Sequence, residues 1–145
     1  CQFTLSQPPI VYYGTEVGLS QPGDCRNYLH YARLPMIWDE RQDRALQEWY
    51  RQLCIARHNH PALRRGRRIP ILSSGQSGLL VYRKVKDEDF CLVILHAAEG
   101  KVKVDLTITP GRYLDLLSDR EYKVNNPSLR LTLEPWTAAI LAQVH

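Results

Sequence analysis

Two carboxylates stand close together near the start of the chain, Glu16 and Asp24, just behind the apolar run Pro9-Ile10-Val11-Tyr12-Tyr13-Gly14. A pair of carboxyl groups is the smallest equipment for general acid/base work. Nothing in the spacing sets the distance between these two, so a catalytic pair does not follow from it. The simpler role for Glu16 is hydrogen bonding beside the run. Three further residues with usable side chains, Tyr28, His30 and Tyr31, lie in the tract Arg26–Arg33. His30, His58 and His60 fall at no spacing that makes a metal site with a carboxylate. The four cysteines, Cys1, Cys25, Cys54 and Cys91, are far apart and form no C-x-x-C pair. Cys54 in a helical pattern and Cys91 in a strand pattern read as buried, reduced structural thiols, an expectation that favours a cytoplasmic protein.

The elements that must position these groups come next. Ile10–Tyr13 is apolar without alternation, as in a strand covered on both faces. Residues 14–35 are a long connection broken by Gly14, Gly18, Pro22 and Gly23. A connection of that length is usually functional. A helix follows: Asp39 and Gln42 form a capping-box-like pair, and Leu46, Trp49, Tyr50, Leu53 and either Ala56 or Arg57 line one face. Trp49 and Tyr50 are expected in a core. Arg57, His58 and His60 suit the negative end of the helix dipole, and Pro61 stops the helix.

Beyond residue 66 the pattern becomes β. Leu79–Val85 and Phe90–His96 flank a hairpin at Lys86–Asp89, and Val102, Val104, Leu106 and Ile108 alternate strictly. Short strands at 112–117, 121–124, 129–133 and 136–143 follow, with turns between them. That spacing indicates an antiparallel sandwich or barrel. The fold class is therefore mainly β: an antiparallel sandwich or barrel preceded by one strand and one long helix. The division falls into 1–66 and 67–145. A lone parallel-type strand cannot satisfy its own edges. The first third thus reads as the last βα unit of a larger structure.

Bulk properties exclude several classes. The 145 residues amount to one domain or a little more, with ordinary hydrophobic and charged content. No stretch has the length of a membrane span, and no targeting signal is evident. The net charge of +4 equals the contribution of Arg64, Arg65, Arg67 and Arg68 around Gly66. That cluster carries no aromatic and reads as a solvated linker, so neither nucleic acid nor membrane is expected as a partner.

Four stretches, in order, carry a family resemblance. Pro9–Leu19 resembles the segment on the eighth barrel strand of α-amylase-type enzymes, glycoside hydrolase family 13. Arg33-Leu34-Pro35-Met36-Ile37-Trp38 resembles the stretch that follows it in the neopullulanase and cyclomaltodextrinase branch. His60–Gly66 is similar to the junction after the last barrel helix. Gly111–Leu117 and Leu129–Leu141 are similar to the small C-terminal domain C, which implies an antiparallel Greek-key β-sandwich after residue 66. The resemblance implies a retaining glycosidase on a (β/α)8 barrel whose two catalytic carboxyls, about 5–5.5 Å apart, sit on earlier strands. On that expectation the chain carries no catalytic residue, needs no cofactor and is inert alone.

The resemblance also implies substrate-binding positions behind the strand: Tyr13, Glu16, and an arginine, either Arg33 or Arg26. The acidic partner that the family pattern places four residues before this arginine is absent for both, since Pro22 and Leu29 stand there. Tyr28 and Tyr31 either stack on sugar or pack the loop. The expected partner is an α-glucan or maltooligosaccharide. A different class of function stays open, an independent β-sandwich module that binds carbohydrate or a protein. An isolated chain is expected to expose an apolar patch, from Ile10–Tyr13 and the Trp49/Tyr50 face, that invites self-association.

Overall fold

Two neighbouring strands at the middle of a six-stranded antiparallel sheet carry most of the architecture. They are seen in a computed structural model that describes residues 1–20 and 34–144. β3 (Asp89–His96) pairs with β8 (Thr137–Val144), Cys91 opposite Ala142 and Leu92 opposite Leu141. Cys91, Leu92, Val93 and Ile94 are fully buried in succession. Consecutive burial requires cover on both faces, and the two covers differ. Leu92 and Ile94 face a core completed by a second sheet, while Cys91 and Val93 face a core completed by helical residues Ala56, Ala62 and Leu63.

The remaining strands are β1 (Arg67–Ser74), β2 (Leu79–Lys86), β4 (Val102–Leu106), β5 (Gly111–Asp115), β6 (Glu121–Val124) and β7 (Leu129–Leu133). The large sheet runs β1-β2-β3-β8-β5-β6, and β4 and β7 form the small one. Placing β8 between β3 and β5 gives the Greek-key sandwich that the family resemblance implied. β4 buries Val104 and Leu106 against the core and exposes Lys103 and Asp105, as its alternation requires.

β1 was not visible as a strand in the sequence, where Arg67 and Arg68 read as linker. It is an edge strand with a register shift between Pro70 and Leu72. Arginines, a proline and a bulge are what keep an edge from pairing further. The basic cluster is therefore a helix end and a guarded sheet edge. Arg65, Arg67 and Arg68 are exposed, and the Arg68 guanidinium lies 5.7 Å from the Tyr82 ring centroid.

The long helix, α1, spans Arg44–Asn59. Its cap is Asp43, whose Oδ1 accepts from the Leu46 N–H at 2.9 Å. Asp39 was expected in that role. Its carboxylate is instead held by the Arg41 side chain at 2.8–3.1 Å, which draws its pKa down to about 2. A short helix, α2 (Pro61–Arg65), begins with Pro61 in its first turn and ends at Gly66. A side chain on Gly66 would meet the Ala62 carbonyl at 2.4 Å, so the chain can pass from helix to sheet here only without a Cβ.

α1 buries Ala56 alone. Trp49 is 38% exposed and Cys54 is also exposed, contrary to the core positions expected for both. The helix carries an apolar face that the described residues cover only in part. Ile10–Tyr13, expected as a buried strand, lies in no ladder, and Ile10 is 85% exposed. The physical reason is the one its composition implied: a strand of that kind needs neighbours on both sides. No helix among the described residues is long and apolar enough to cross a membrane.

Candidate functional site

The turn Gly14–Gly18 organises the N-terminal groove. Gly14 has φ 84°, and a Cβ there would sit 2.6 Å from Leu19 Cδ2, so only glycine fits. The 3-10 turn Thr15–Val17 that follows is tied to the start of α1 by the Asp43 N–H, which donates to the Val17 carbonyl at 2.9 Å. Val17 is buried. Gln42 donates from Nε2 to the Ile37 carbonyl at 2.6 Å, fixing the approach to the helix.

Beside this turn lies a groove of about 550 Å³ whose walls include Phe3, Val11, Tyr13, Glu16, Tyr50 and Arg51. Phe3 and Tyr50 meet edge to face at 5.7 Å. The Tyr13 hydroxyl donates to the Leu34 carbonyl at 2.7 Å, which brings residue 34 back to the end of the apolar run. Tyr12 and Tyr13 pack at 4.6 Å between ring centroids. Glu16 is the one carboxylate among the described residues of the groove, and its Oε2 is buried without a hydrogen-bond partner. An ionised oxygen so placed is costly unless something donates to it. The structure thus brings Tyr13 and Glu16 together. Arg26 and Arg33 lie outside the described residues, as do Asp24, Tyr28, His30 and Tyr31.

A second group of polar side chains ties the N-terminal segment and α2 to the sandwich. The sequence offered no signal for it, because its members are distant in the chain. The Arg57 guanidinium donates to the carbonyls of Phe3, Leu5, Leu63 and Gln7 at 2.6–3.1 Å. Lys84 is buried, and its ammonium donates to Ser6 Oγ and the Gly66 carbonyl, both at 2.7 Å. Burial lowers its pKa, and the nearby charges of Arg57 and Arg68 add to that. The Tyr82 hydroxyl shares a hydrogen bond with Thr4 Oγ1, and burial raises its pKa.

His60, Asp89 and Cys91 also converge, with one donor atom of each within 4.8 Å of the others. Asp89 Oδ1 lies 3.0 Å from His60 Nδ1, and Oδ2 accepts from the Ala62 N–H at 2.7 Å. Asp89 therefore caps α2 from the start of β3. Both of its oxygens are engaged, and burial pushes the Cys91 thiol far above its usual range, keeping it neutral. The geometry is that of a clasp between the helices and β3.

No protein-family model matches the chain. Alpha-amylase 2 of Dictyoglomus thermophilum is 34% identical over 99% of this chain, and Neopullulanase 2 of Thermoactinomyces vulgaris is 32% identical over 97%. The chain spans about a quarter, 24%, of the length of each of these curated relatives. Among solved structures, a cyclomaltodextrinase superposes with a TM-score of 0.84 at 24% identity, covering 99% of this chain and 24% of that one. AmyP crystallised with maltose superposes at 0.76 and 26% identity, covering 97% of this chain and 32% of that one. One long helix with an antiparallel sandwich, matched along nearly its whole length by enzymes several times longer, leads to one family. Along nearly its whole length the chain matches the C-terminal region of α-amylase-type enzymes, glycoside hydrolase family 13.

Proposed function

We infer that this chain is the closing βα unit and domain C of an α-glucan-active retaining glycoside hydrolase or transglycosidase, with the change from barrel to sandwich at Gly66–Arg67. The observation that carries this is the unfinished face. Ile10, Val11, Tyr12, Tyr13 and Trp38 are apolar or aromatic, adjoin the groove and are exposed. Soluble proteins rarely leave such a face uncovered, and it is the face a barrel's neighbouring strands would cover. Maltose in the related AmyP supports a maltooligosaccharide as substrate.

Within this reading Tyr13 and Glu16 border the substrate, with an arginine from Arg26 or Arg33 beside them. Retention of configuration needs two carboxyls about 5–5.5 Å apart. The groove offers Glu16 alone among the described residues. The chain by itself is therefore inert, and Glu16, a wall residue of the groove, acts by hydrogen bonding. The test is product formation from maltoheptaose by the chain alone and by the longer native gene product. Turnover is expected only for the longer protein. Turnover by the chain alone, abolished by Glu16→Gln, would refute the proposal.

A further inference from the structure

A second groove, of about 1210 Å³, runs over the sandwich and includes Trp136, Tyr122, Arg120, Ser118, Thr132 and His96 in its walls. Trp136 stands just before β8 and is 70% exposed. Its backbone has φ 55°, in the left-handed region that a bulky L-residue seldom occupies. Left-handed strain on a residue whose side chain is not needed in the core points to a use at the surface.

The turn that presents the indole is braced from both sides. His96 Nδ1–H donates to the Glu134 carbonyl at 2.8 Å, and Lys101 pairs with the Glu134 carboxylate at 2.7 Å. Thr137 Oγ1 donates to the Pro135 carbonyl at 3.3 Å, and Pro135 itself has a restricted φ. The ring is thus held out on a stiff support, which reduces the entropy lost when it is covered. Close by, the Arg120 guanidinium lies 5.1 Å from the Tyr122 ring centroid, which occupies one face of the tyrosine and leaves the indole as the open aromatic surface.

A pyranose ring has the complementary form. One face presents C–H groups that pack on an aromatic plane, and its hydroxyls call for both donors and acceptors around the edge. Arg120 supplies donors, the Thr132 hydroxyl can serve both ways, and Ser118 Oγ, whose proton goes to Asp115, keeps its lone pairs to accept. We propose that this groove is a saccharide-binding site on domain C, separate from the Tyr13–Glu16 groove, with Trp136 as its stacking platform and an α-1,4-linked glucan chain as its ligand. The stacking platform stands on the geometry above. The choice of an α-glucan rests on the functional reading of the preceding subsection.

The test is calorimetric titration of the chain with maltoheptaose and with cellohexaose, for wild type, Trp136→Gly and Trp136→Tyr. Glycine suits φ 55°, so Trp136→Gly should melt at the same temperature or higher while losing at least about tenfold in affinity, 1.4 kcal/mol. Trp136→Tyr keeps an aromatic plane and should keep most of the binding. Absence of maltoheptaose binding by wild type, or undiminished binding by Trp136→Gly, would overturn the site. Cellohexaose bound as tightly as maltoheptaose would overturn the α-glucan assignment. Turnover of short maltooligosaccharides by the longer protein should be unchanged by Trp136→Gly, so failure here is distinct from failure of the enzyme reading.

Discussion

The clasp at Asp89 decides whether the helical segment and the sandwich behave as one folding unit. Asp89→Ala removes two interactions at once. One is the acceptor for the Ala62 N–H at the start of α2, a capping bond worth about 1 kcal/mol. The other is the contact to His60, whose loss costs about 1–2 kcal/mol as a hydrogen bond to a charged group. Both side chains are 23% exposed, so solvent screens the pair only in part. Together they come to about 2–3 kcal/mol, and α2 holds Ala62 and Leu63, which are fully buried against Val93 and Ile140. Urea unfolding followed by tryptophan fluorescence and by far-ultraviolet dichroism measures this directly. Trp38 and Trp49 report on the N-terminal part and Trp136 on the sandwich. The two probes should coincide in wild type and shift together in Asp89→Ala. A double-mutant cycle with His60→Ala should give a coupling of about 1 kcal/mol. Asp89→Asn keeps an acceptor for Ala62 and should lose less than half as much. A change under about 0.5 kcal/mol for Asp89→Ala, or additivity with His60→Ala, would refute the clasp.

Four further outcomes follow from the structure. Burial raises the Cys91 pKa above its unfolded value, so the folded state holds its proton longer and stability falls as pH rises past about 9. Cys91→Ala should flatten that alkaline loss in urea melts from pH 7 to 10. Lys84 acts in the opposite sense, since its lowered pKa means that the folded state releases a proton first and gains stability as pH rises toward 10.5. Gly14→Ala forces a side chain into the left-handed region and against Leu19. It should cost about 1–2 kcal/mol, seen as faster amide exchange at residues 14–19 with the sandwich amides unchanged. The exposed Ile10, Tyr12 and Trp38 should make the chain associate with itself, and Ile10→Ser with Trp38→Ser should shift sedimentation toward monomer. A monomeric wild type across the micromolar range would count against that.

Much of the sandwich was legible in the chain, because alternation reports burial on one face and does so locally. β2 to β8 stand within two residues of the apolar runs and turns that announced them, the largest differences being β4, which ends two residues before Ile108, and β5, which ends two before Leu117. β1 escaped because an edge strand is under no demand to alternate, and its arginines and proline resemble a linker. The helix was legible as a helix, but its cap was placed four residues early. Asp39 and Asp43 offer the same side chain, and only the backbone path, set by the Asp43 N–H to Val17 carbonyl bond, shows which one meets the first turn.

The chemistry divides along the same line. Glu16 and the tyrosines before it were visible because they are close in sequence, and the resemblance to α-amylase-type enzymes lay in contiguous motifs. Residue order alone also showed that a continuous apolar run such as Ile10–Tyr13 calls for partners. Tertiary structure decided the rest: that this run joins no ladder and leaves Ile10 exposed, that Trp49 and Cys54 face outward, and that Asp89 caps a helix 27 residues before it. It also decided that the Trp136 indole stands on a braced turn beside the second groove. Contacts of that kind depend on where the backbone folds back on itself. Periodicity measures only which side of an element is apolar, and it carries no record of what comes to rest against it.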